Sequence, residues 1–376
     1  MNKIYLDNNS TTQVDPYVIE KMLPYFTEKY GNASSQSHAF GWEAQAANDI
    51  AREQVAQLIN AHSDEIIFTS GATESNNLAI KGFYLKSMSQ TANIITSTIE
   101  HKAVLDVCKN IENTIYIKPN KDGIIDEKEI VKAINKDTAL ISIMHANNEI
   151  GSIQPLKKIG SICKEKNIIF HVDAAQSLGK VKIDVNDMNI DLLSLSGHKI
   201  YGPKGIGALY VKKYSPKIKI EPIIVGGGQE KNYRSGTLPT PLIVGLGEAC
   251  EICYNQMEED NLRINKMTNS LINIILKTFP KSKLNGSRTN RIPGNINFSF
   301  PFLNGTSIIR SMPKIAISSG SACSTSNTIP SHVLLQLGLN KLEANSSIRI
   351  GIGRFNTEKD IEIASHSIVK AINNKI

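Results

Sequence analysis

Short β-branched and aliphatic runs alternate with stretches of helical spacing from about residue 45 to residue 212. Ile66-Ile67-Phe68-Thr69, Asn93-Ile94-Ile95-Thr96-Ser97 and Ala139-Leu140-Ile141-Ser142-Ile143-Met144 read as strands. So do Ile168-Ile169-Phe170-His171-Val172, Leu192-Leu193-Ser194-Leu195 and Gly207-Ala208-Leu209-Tyr210-Val211. Several are apolar on both faces, as strands buried between helix layers must be. The alternation predicts an α/β three-layer domain around a mostly parallel sheet. Such sheets bind ligands beyond the carboxyl ends of their strands.

Past Gly245 the helical spacing runs on to about residue 278. A strand is expected over 295–300, a helix over 307–312, a strand over 314–317 and a last helix from about Thr357. These make a smaller α+β domain. The first dozen residues lack a helical pattern and read as an arm. The expected division is an arm over 1–15 joining the small domain, a large domain over 16–256 and a small domain over 257–376.

The chain has 376 residues, 41% of them apolar, enough for one large core and a smaller one. No apolar run approaches the ~18 residues of a membrane span. The start, Met1-Asn2-Lys3-Ile4-Tyr5-Leu6-Asp7, has no long apolar stretch and carries an early acid. A soluble, cytoplasmic chain with no membrane partner is the expectation. Net charge is +7, but the lysines are scattered. Basic stripes with interleaved aromatics are missing, so direct nucleic-acid binding is not expected, whereas an anionic cofactor or acidic partner is easily accommodated. Five cysteines spread along the chain make no disulfide framework. Cys250 and Cys253 form a C-x-x-C inside a helical stretch and read as buried helix residues rather than a zinc site.

Five places carry candidate chemistry. Lys199 follows an apolar strand in Ser194-Leu195-Ser196-Gly197-His198-Lys199, just before a glycine-rich run. A lysine there can form a Schiff base with an aldehyde cofactor, pyridoxal phosphate being the commonest, or can simply sit in a surface turn. Thr69-Ser70-Gly71-Ala72-Thr73-Glu74-Ser75 joins a strand to a helix expected over 76–85. Its small residues suit an anion at a helix N-terminus, and equally an ordinary cap at Thr73 or Ser70. No G-x-x-x-x-G-K-[ST] and no strand-following G-x-G-x-x-G is present, which disfavours nucleoside triphosphatase and dinucleotide readings. Asp173 ends a strand and could hold a pyridinium proton, with Gln176 on a ring hydroxyl; it also reads as an N-cap. His101 opens a helix, where it could stack on an aromatic cofactor and relay protons or serve structure alone. Cys323 lies in Ser318-Ser319-Gly320-Ser321-Ala322-Cys323-Ser324-Thr325-Ser326-Asn327, an exposed, mobile setting for a nucleophile or for an incidental loop cysteine.

Taken together these stretches resemble the cysteine desulfurases of the NifS/IscS type, class V aminotransferases of the fold-type I pyridoxal-phosphate enzymes. The likeness runs nearly end to end. Besides the segments above it includes Tyr5-Leu6-Asp7-Asn8-Asn9-Ser10-Thr11-Thr12, Glu100-His101-Lys102-Ala103-Val104 and His145-Ala146-Asn147-Asn148-Glu149-Ile150-Gly151. Arg234-Ser235-Gly236-Thr237 and Ser347-Ile348-Arg349 complete it.

The resemblance implies the aspartate aminotransferase-like fold, with the large domain binding pyridoxal phosphate and the small one carrying a mobile Cys323 loop. It implies Lys199 as the lysine joined to the cofactor. Ala72, Thr73, Ser196 and His198 are similar to phosphate binders, with Thr237 reaching in from a second subunit of a homodimer. Asp173 resembles the pyridine-nitrogen partner, Gln176 the O3′ partner, and His101 the stacking and proton-transfer group. Asn148 is similar to an asparagine that contacts cofactor or substrate, Arg349 to the arginine that clamps the substrate carboxylate, and Cys323 to the persulfide-forming cysteine. The implied reaction takes L-cysteine to L-alanine and a Cys323 persulfide. The sulfur goes to an acceptor such as an iron–sulfur scaffold, or toward tRNA thiolation. Whether Cys323 shares a transient iron–sulfur cluster is left open, as is any other metal. The alternatives on this fold are a selenocysteine lyase and a class V aminotransferase.

Three departures or distinctions are visible. Ala33 stands where the family usually has proline, with a modest loop effect expected. The chain ends at Ile376, without the longer tail that many members use to dock the scaffold, which bears on the partner and not on the desulfurase step. The spacing around Cys323 fits the mobile-loop group rather than the short-loop group.

Overall fold

The computed structural model describes residues 3–87, 92–213, 218–301, 303–319 and 330–375. Its centre is a seven-stranded sheet. The strands lie in the order Ile66–Thr69, Gly207–Val211, Leu192–Ser196, Ile169–Asp173, Thr138–Met144, Asn93–Ser97 and Thr114–Ile117. All neighbours are parallel except those of Gly207–Val211, which runs antiparallel to both of its own. The sheet is therefore mostly parallel, as expected.

Alternate strand residues face two separate apolar layers. Ile66, Phe68, Phe170, Val172, Leu193 and Leu195 pack on one side, against the helices Pro16–Met22, Ala39–Leu58 and Leu156–Lys166. Ile67, Ile94, Leu140, Ile169, Leu192 and Leu209 pack on the other, against residues 78–83 and the helix Lys102–Cys108. Period-two alternation between two buried faces is what a helix–sheet–helix sandwich demands.

A second sheet is antiparallel, in the order Ser318–Ser319, Ser347–Gly351, Asn295–Ser299 and Lys283–Leu284. Ile296, Phe298, Ile348 and Ile350 form a core with the C-terminal helix Glu358–Asn373, which starts where expected, behind a capping box at Thr357. The 39-residue helix Thr240–Thr278 serves both cores. Ile243, Leu246, Cys250 and Cys253 lie in the first, and Ile264, Met267, Leu271 and Ile275 in the second. Cys250 and Cys253 are buried free thiols of that helix. Among the described residues no helix is long and apolar enough to cross a membrane.

The N-terminal arm joins the second core. Ile4–Tyr5 pairs in parallel with Ile315–Ala316, and Asp7 bridges to Gly351. Three details differ from the sequence reading. The expected strand over 314–317 shortens to Ile315–Ala316, which takes the arm, and a separate strand, Ser318–Ser319, joins the second sheet. Thr114–Ile117 is an edge strand that the apolar pattern did not disclose. The helix expected over 76–85 begins earlier, at Ala72, and passes through a π turn at Leu78–Gly82.

Gly160 offers a clean test of the packing. Glycine-to-alanine changes inside helices ordinarily gain up to ~1 kcal/mol. A Cβ at Gly160 would stand 1.8 Å from the Met188 carbonyl oxygen. Gly160→Ala should instead lower stability by about 1–3 kcal/mol, read as a lower urea midpoint at unchanged m-value. A higher midpoint would show that the helix Leu156–Lys166 stands farther from Met188.

Candidate active site

The carboxyl ends of the strands Ile66–Thr69, Thr138–Met144, Ile169–Asp173 and Leu192–Ser196 open into one cavity of about 720 Å³. Ala72, Thr73, His101, Asn148, Asp173, Gln176, Ser196, His198, Lys199 and Arg349 all line it. Thr237 does not; it is exposed on the surface. Cys323 lies outside the described residues. The chain approaches it through Ser318, which lines the cavity and pairs in register with Arg349.

One end of the cavity is built from the turn before the helix Ala72–Asn77. Its cap is Gly71, at φ 148°, with no side-chain bond. Neither Thr73 nor Ser70 takes that role. A Cβ on Gly71 would meet nothing within 4 Å, so the glycine leaves open space before the first-turn amides. Gly207 is needed for the same approach, since a Cβ there would lie 2.7 Å from the Gly71 Cα. Ser196, His198, Lys204 and Gly205 form the facing wall. Thr11 Oγ1 and His198 Nδ1 lie 3.1 Å apart. Burial, with help from Lys199, Lys204 and Lys180, pushes the His198 pKa down to about 4.

The middle of the cavity holds Asp173 and Lys199. Asp173 Oδ1 accepts from the Ala175 N–H at 2.9 Å, and Oδ2 accepts from Asn76 Nδ2 at 2.8 Å. No helix follows Asp173 directly, so it is not the helix N-cap that the sequence also allowed. Lys199 ends the short turn Gly197–Lys199, and its Nζ donates to the Asn9 and Ser10 carbonyls, each at 2.7 Å. Burial lowers its pKa to about 7, and the Lys180 and Arg349 charges push the same way. Half of such amines are neutral, and nucleophilic, near pH 7. Gln176 Nε2 donates to the Asn9 carbonyl at 2.8 Å, while its buried Oε1 has no partner among the described residues.

His101 performs two tasks at once. It caps the helix Lys102–Cys108, its Nδ1 accepting from the Ala103 N–H at 3.1 Å. That bond leaves Nε2 as the protonated nitrogen of the neutral ring. Burial lowers its pKa; Asp173 opposes the shift and Lys199 adds to it.

The far end is dominated by Arg349, 2% exposed. Its Nη2 donates to Asp7 Oδ1 at 3.0 Å and to Ser10 Oγ at 2.5 Å, and Nη1 donates to the Asn148 carbonyl at 3.1 Å. Its buried Nε has no partner among the described residues. Asp7, Asn9, Ser10, Glu74 and Lys204 also line the cavity, and the sequence reading gave them no task. A dense run of Asp, Asn, Ser and Thr in an arm without helical pattern was the available signal.

The orphaned Gln176 Oε1, the open space at Gly71 and the easily deprotonated Lys199 fit a phosphorylated aromatic aldehyde. Known proteins agree. The family model for class-V aminotransferases matches residues 4–363. Cysteine desulfurase IscS of Rickettsia bellii (strain OSU 85-389) is 53% identical over 376 residues, covering 98% of this chain and 91% of that protein. A solved NifS-like protein superposes with a TM-score of 0.92 at 34% identity, covering 99% of each chain. SspA, solved in complex with cysteine, gives 0.83 at 40% identity, over 94% of this chain and all of that one. This chain therefore belongs to the class V aminotransferases and, among them, to the cysteine desulfurases, pyridoxal-phosphate enzymes of the aspartate aminotransferase-like fold type I.

Proposed function

We propose that this chain converts L-cysteine to L-alanine and collects the released sulfur as a persulfide on Cys323. Delivery to an iron–sulfur scaffold is the proposed outlet, with tRNA thiolation as a second. The observation that carries this reading is one cavity shared by a near-neutral lysine amine and a buried arginine. The first suits an aldehyde and the second an amino-acid carboxylate.

Pyridoxal phosphate, when bound, supplies the electrophilic carbonyl and an electron sink. Lys199 Nζ would be the amine that joins it, and would take and return the proton of the substrate Cα. Asp173, already oriented by Ala175 and Asn76, keeps a proton on the ring nitrogen. Gln176 Oε1 would accept from the ring hydroxyl. His101 would offer its Nε2–H as a donor beside the ring. Ala72, Thr73, Ser196 and His198 would hold the phosphate, joined by Thr237 of the partner subunit. Arg349 clamps the substrate carboxylate beside Asn148, its guanidinium pre-set by Asp7 and Ser10.

The Cys323 thiolate attacks the substrate sulfur. One S–S bond forms and the substrate Cβ–S bond breaks. The bonding electron pair stays on Cβ, which takes a proton to become the alanine methyl, so no external oxidant is required. The proposed units are the arm over 1–15, a large unit over 16–256 and a small one over 257–376. In support, the helix Thr240–Thr278 changes cores between Cys253 and Ile264. Cys108, Cys163, Cys250 and Cys253 are unpaired thiols, in keeping with a reducing compartment such as the cytoplasm. Homodimerisation accords with the exposed Thr237 and with exposed Val225, Phe26 and Trp42.

Four outcomes test the reading. Because the Lys199 pKa is lowered to about 7, its neutral form is lost as pH falls through 7 rather than through the ordinary 10.5. The rate at which cofactor-free protein takes up pyridoxal phosphate should rise with pH around a midpoint near 7, by stopped-flow absorbance. A midpoint above 9 would refute the buried amine. With L-cysteine and dithiothreitol, Lys199→Ala should lose about a thousandfold or more of sulfide and alanine release. Cys323→Ser should keep the cofactor absorbance and lose sulfide; wild-type sulfide release by that variant would end the persulfide mechanism. Sedimentation should find a dimer, and a fully active monomer would remove Thr237 from the site.

A further inference from the structure

Behind the phosphate end of the cavity lies a charged network that the proposed mechanism does not use. Glu74 lines the cavity in the first turn of the helix Ala72–Asn77, its side chain only 8% exposed. Its Oε2 accepts the Ser70 N–H at 2.8 Å, and its Oε1 accepts Arg234 Nε at 2.9 Å. On the same loop as Arg234, Glu230 is buried. Its carboxylate takes both ends of the Arg52 guanidinium, at 2.7 and 2.9 Å, and the Phe68 N–H at 2.6 Å. Arg52 also donates to the Ile66 carbonyl and lies 4.4 Å over the Phe68 ring.

One loop thus grips both sides of the turn that carries Gly71. Glu230 holds the strand leading in, and Arg234 holds the helix leading out. The loop is bent for the purpose. Glu230, Lys231 and Asn232 have φ of 49°, 57° and 67°, three successive non-glycine residues in the left-handed region. Backbone of this kind persists only where its surroundings over-determine it. The Gly236 N–H to Gln229 Oε1 and Gly228 N–H to Ser235 Oγ bonds close the loop on itself.

A carboxylate in a first helical turn suits the helix. Beside a phosphate it repels the ligand, because like charges in a site of reduced dielectric interact strongly. Arg234 answers this. Its guanidinium cancels the Glu74 charge and turns the carboxylate toward Ser70, so that Glu74 shapes the turn without opposing the anion.

We propose that Arg234 and Glu74, braced by the Arg52–Glu230 clasp, are a charge-cancelling positioning pair that sets affinity for the cofactor phosphate. The proposal rests on the reading of Ala72, Thr73, Ser196 and His198 as the phosphate end. The test titrates cofactor-free protein with pyridoxal phosphate and with pyridoxal, which lacks the phosphate, following the bound chromophore. Arg234→Gln should weaken pyridoxal phosphate by about tenfold or more while pyridoxal changes by less than about twofold. Adding Glu74→Gln to Arg234→Gln should restore pyridoxal phosphate to within about threefold of wild type, since the two effects are coupled. Equal weakening of both ligands, or a double variant as weak as Arg234→Gln alone, would overturn the pair. If Arg234→Gln does not fold, Glu74→Gln alone decides: it should bind pyridoxal phosphate at least as tightly as wild type, and about tenfold weaker binding would overturn the proposal. Wild-type protein with equal affinity for the two ligands would overturn the phosphate reading itself.

Discussion

The site depends on the polar arm over residues 7–12. Asn9 and Ser10 give their carbonyls to Lys199, and the Asn9 carbonyl also receives Gln176. Ser10 Oγ and Asp7 hold Arg349, while Thr11 lies beside His198 and Thr12 receives the Tyr201 N–H. The arm starts in the second sheet system and ends against the turn that carries Lys199. It is therefore the tie between the buried Arg349 guanidinium borne by one core and the Lys199 amine borne by the other. A cavity between two cores needs such a tie, because neither core alone can set the separation of the two groups to the fraction of an ångström that chemistry requires.

Electrostatics follow from that geometry. Lys199, Lys180, Lys204 and Arg349 gather near the cavity with Asp7 and Asp173 as the opposing carboxylates. Burial and neighbouring cations both disfavour the ammonium form of Lys199, so its amine is reactive near neutrality. Lys180 has a buried Nζ with no partner among the described residues, and burial lowers its pKa to about 8. The same excess of positive charge suits the two anionic groups under the proposed reading, phosphate and carboxylate. Asp7 offsets part of it by pairing with Arg349 through Nη2, and among the described residues the buried Nε of Arg349 has no partner.

Much of this was legible in the chain. Apolar runs revealed six of the seven central strands, and the chemistry-bearing residues fell at their carboxyl ends. Thr114–Ile117 escaped because it is an edge strand, half-buried and flanked by polar residues, so no continuous apolar run marks it. The cap at Gly71 escaped for another reason. Local preference favours Ser or Thr at such a position, but here the close approach of Gly207 and the open space before the amides decide the residue. Arg349 and Asp7 are 342 residues apart, and no local pattern reports a partner at that distance. The cap reading of Asp173 fails because turns rather than a helix follow it, and its Oδ2 accepts from Asn76, on a different element, which no local pattern reports.

The left-handed turn at 230–232 shows how such a site is maintained. Each non-glycine residue held there costs about 1–2 kcal/mol relative to ordinary helical backbone. A free loop would relax. Relaxation here would strip the buried Glu230 carboxylate from Arg52 and from the Phe68 N–H, leaving charges unpaired inside the protein. That penalty is typically about 3–5 kcal/mol for one broken buried pair, comparable to the whole strain of the turn. The bent loop is therefore held by the cost of unpairing Glu230 rather than by its own preference. Because Phe68 leads directly into the turn that bears Gly71, the ion pair that keeps the loop bent also fixes the strand from which that end of the cavity is built.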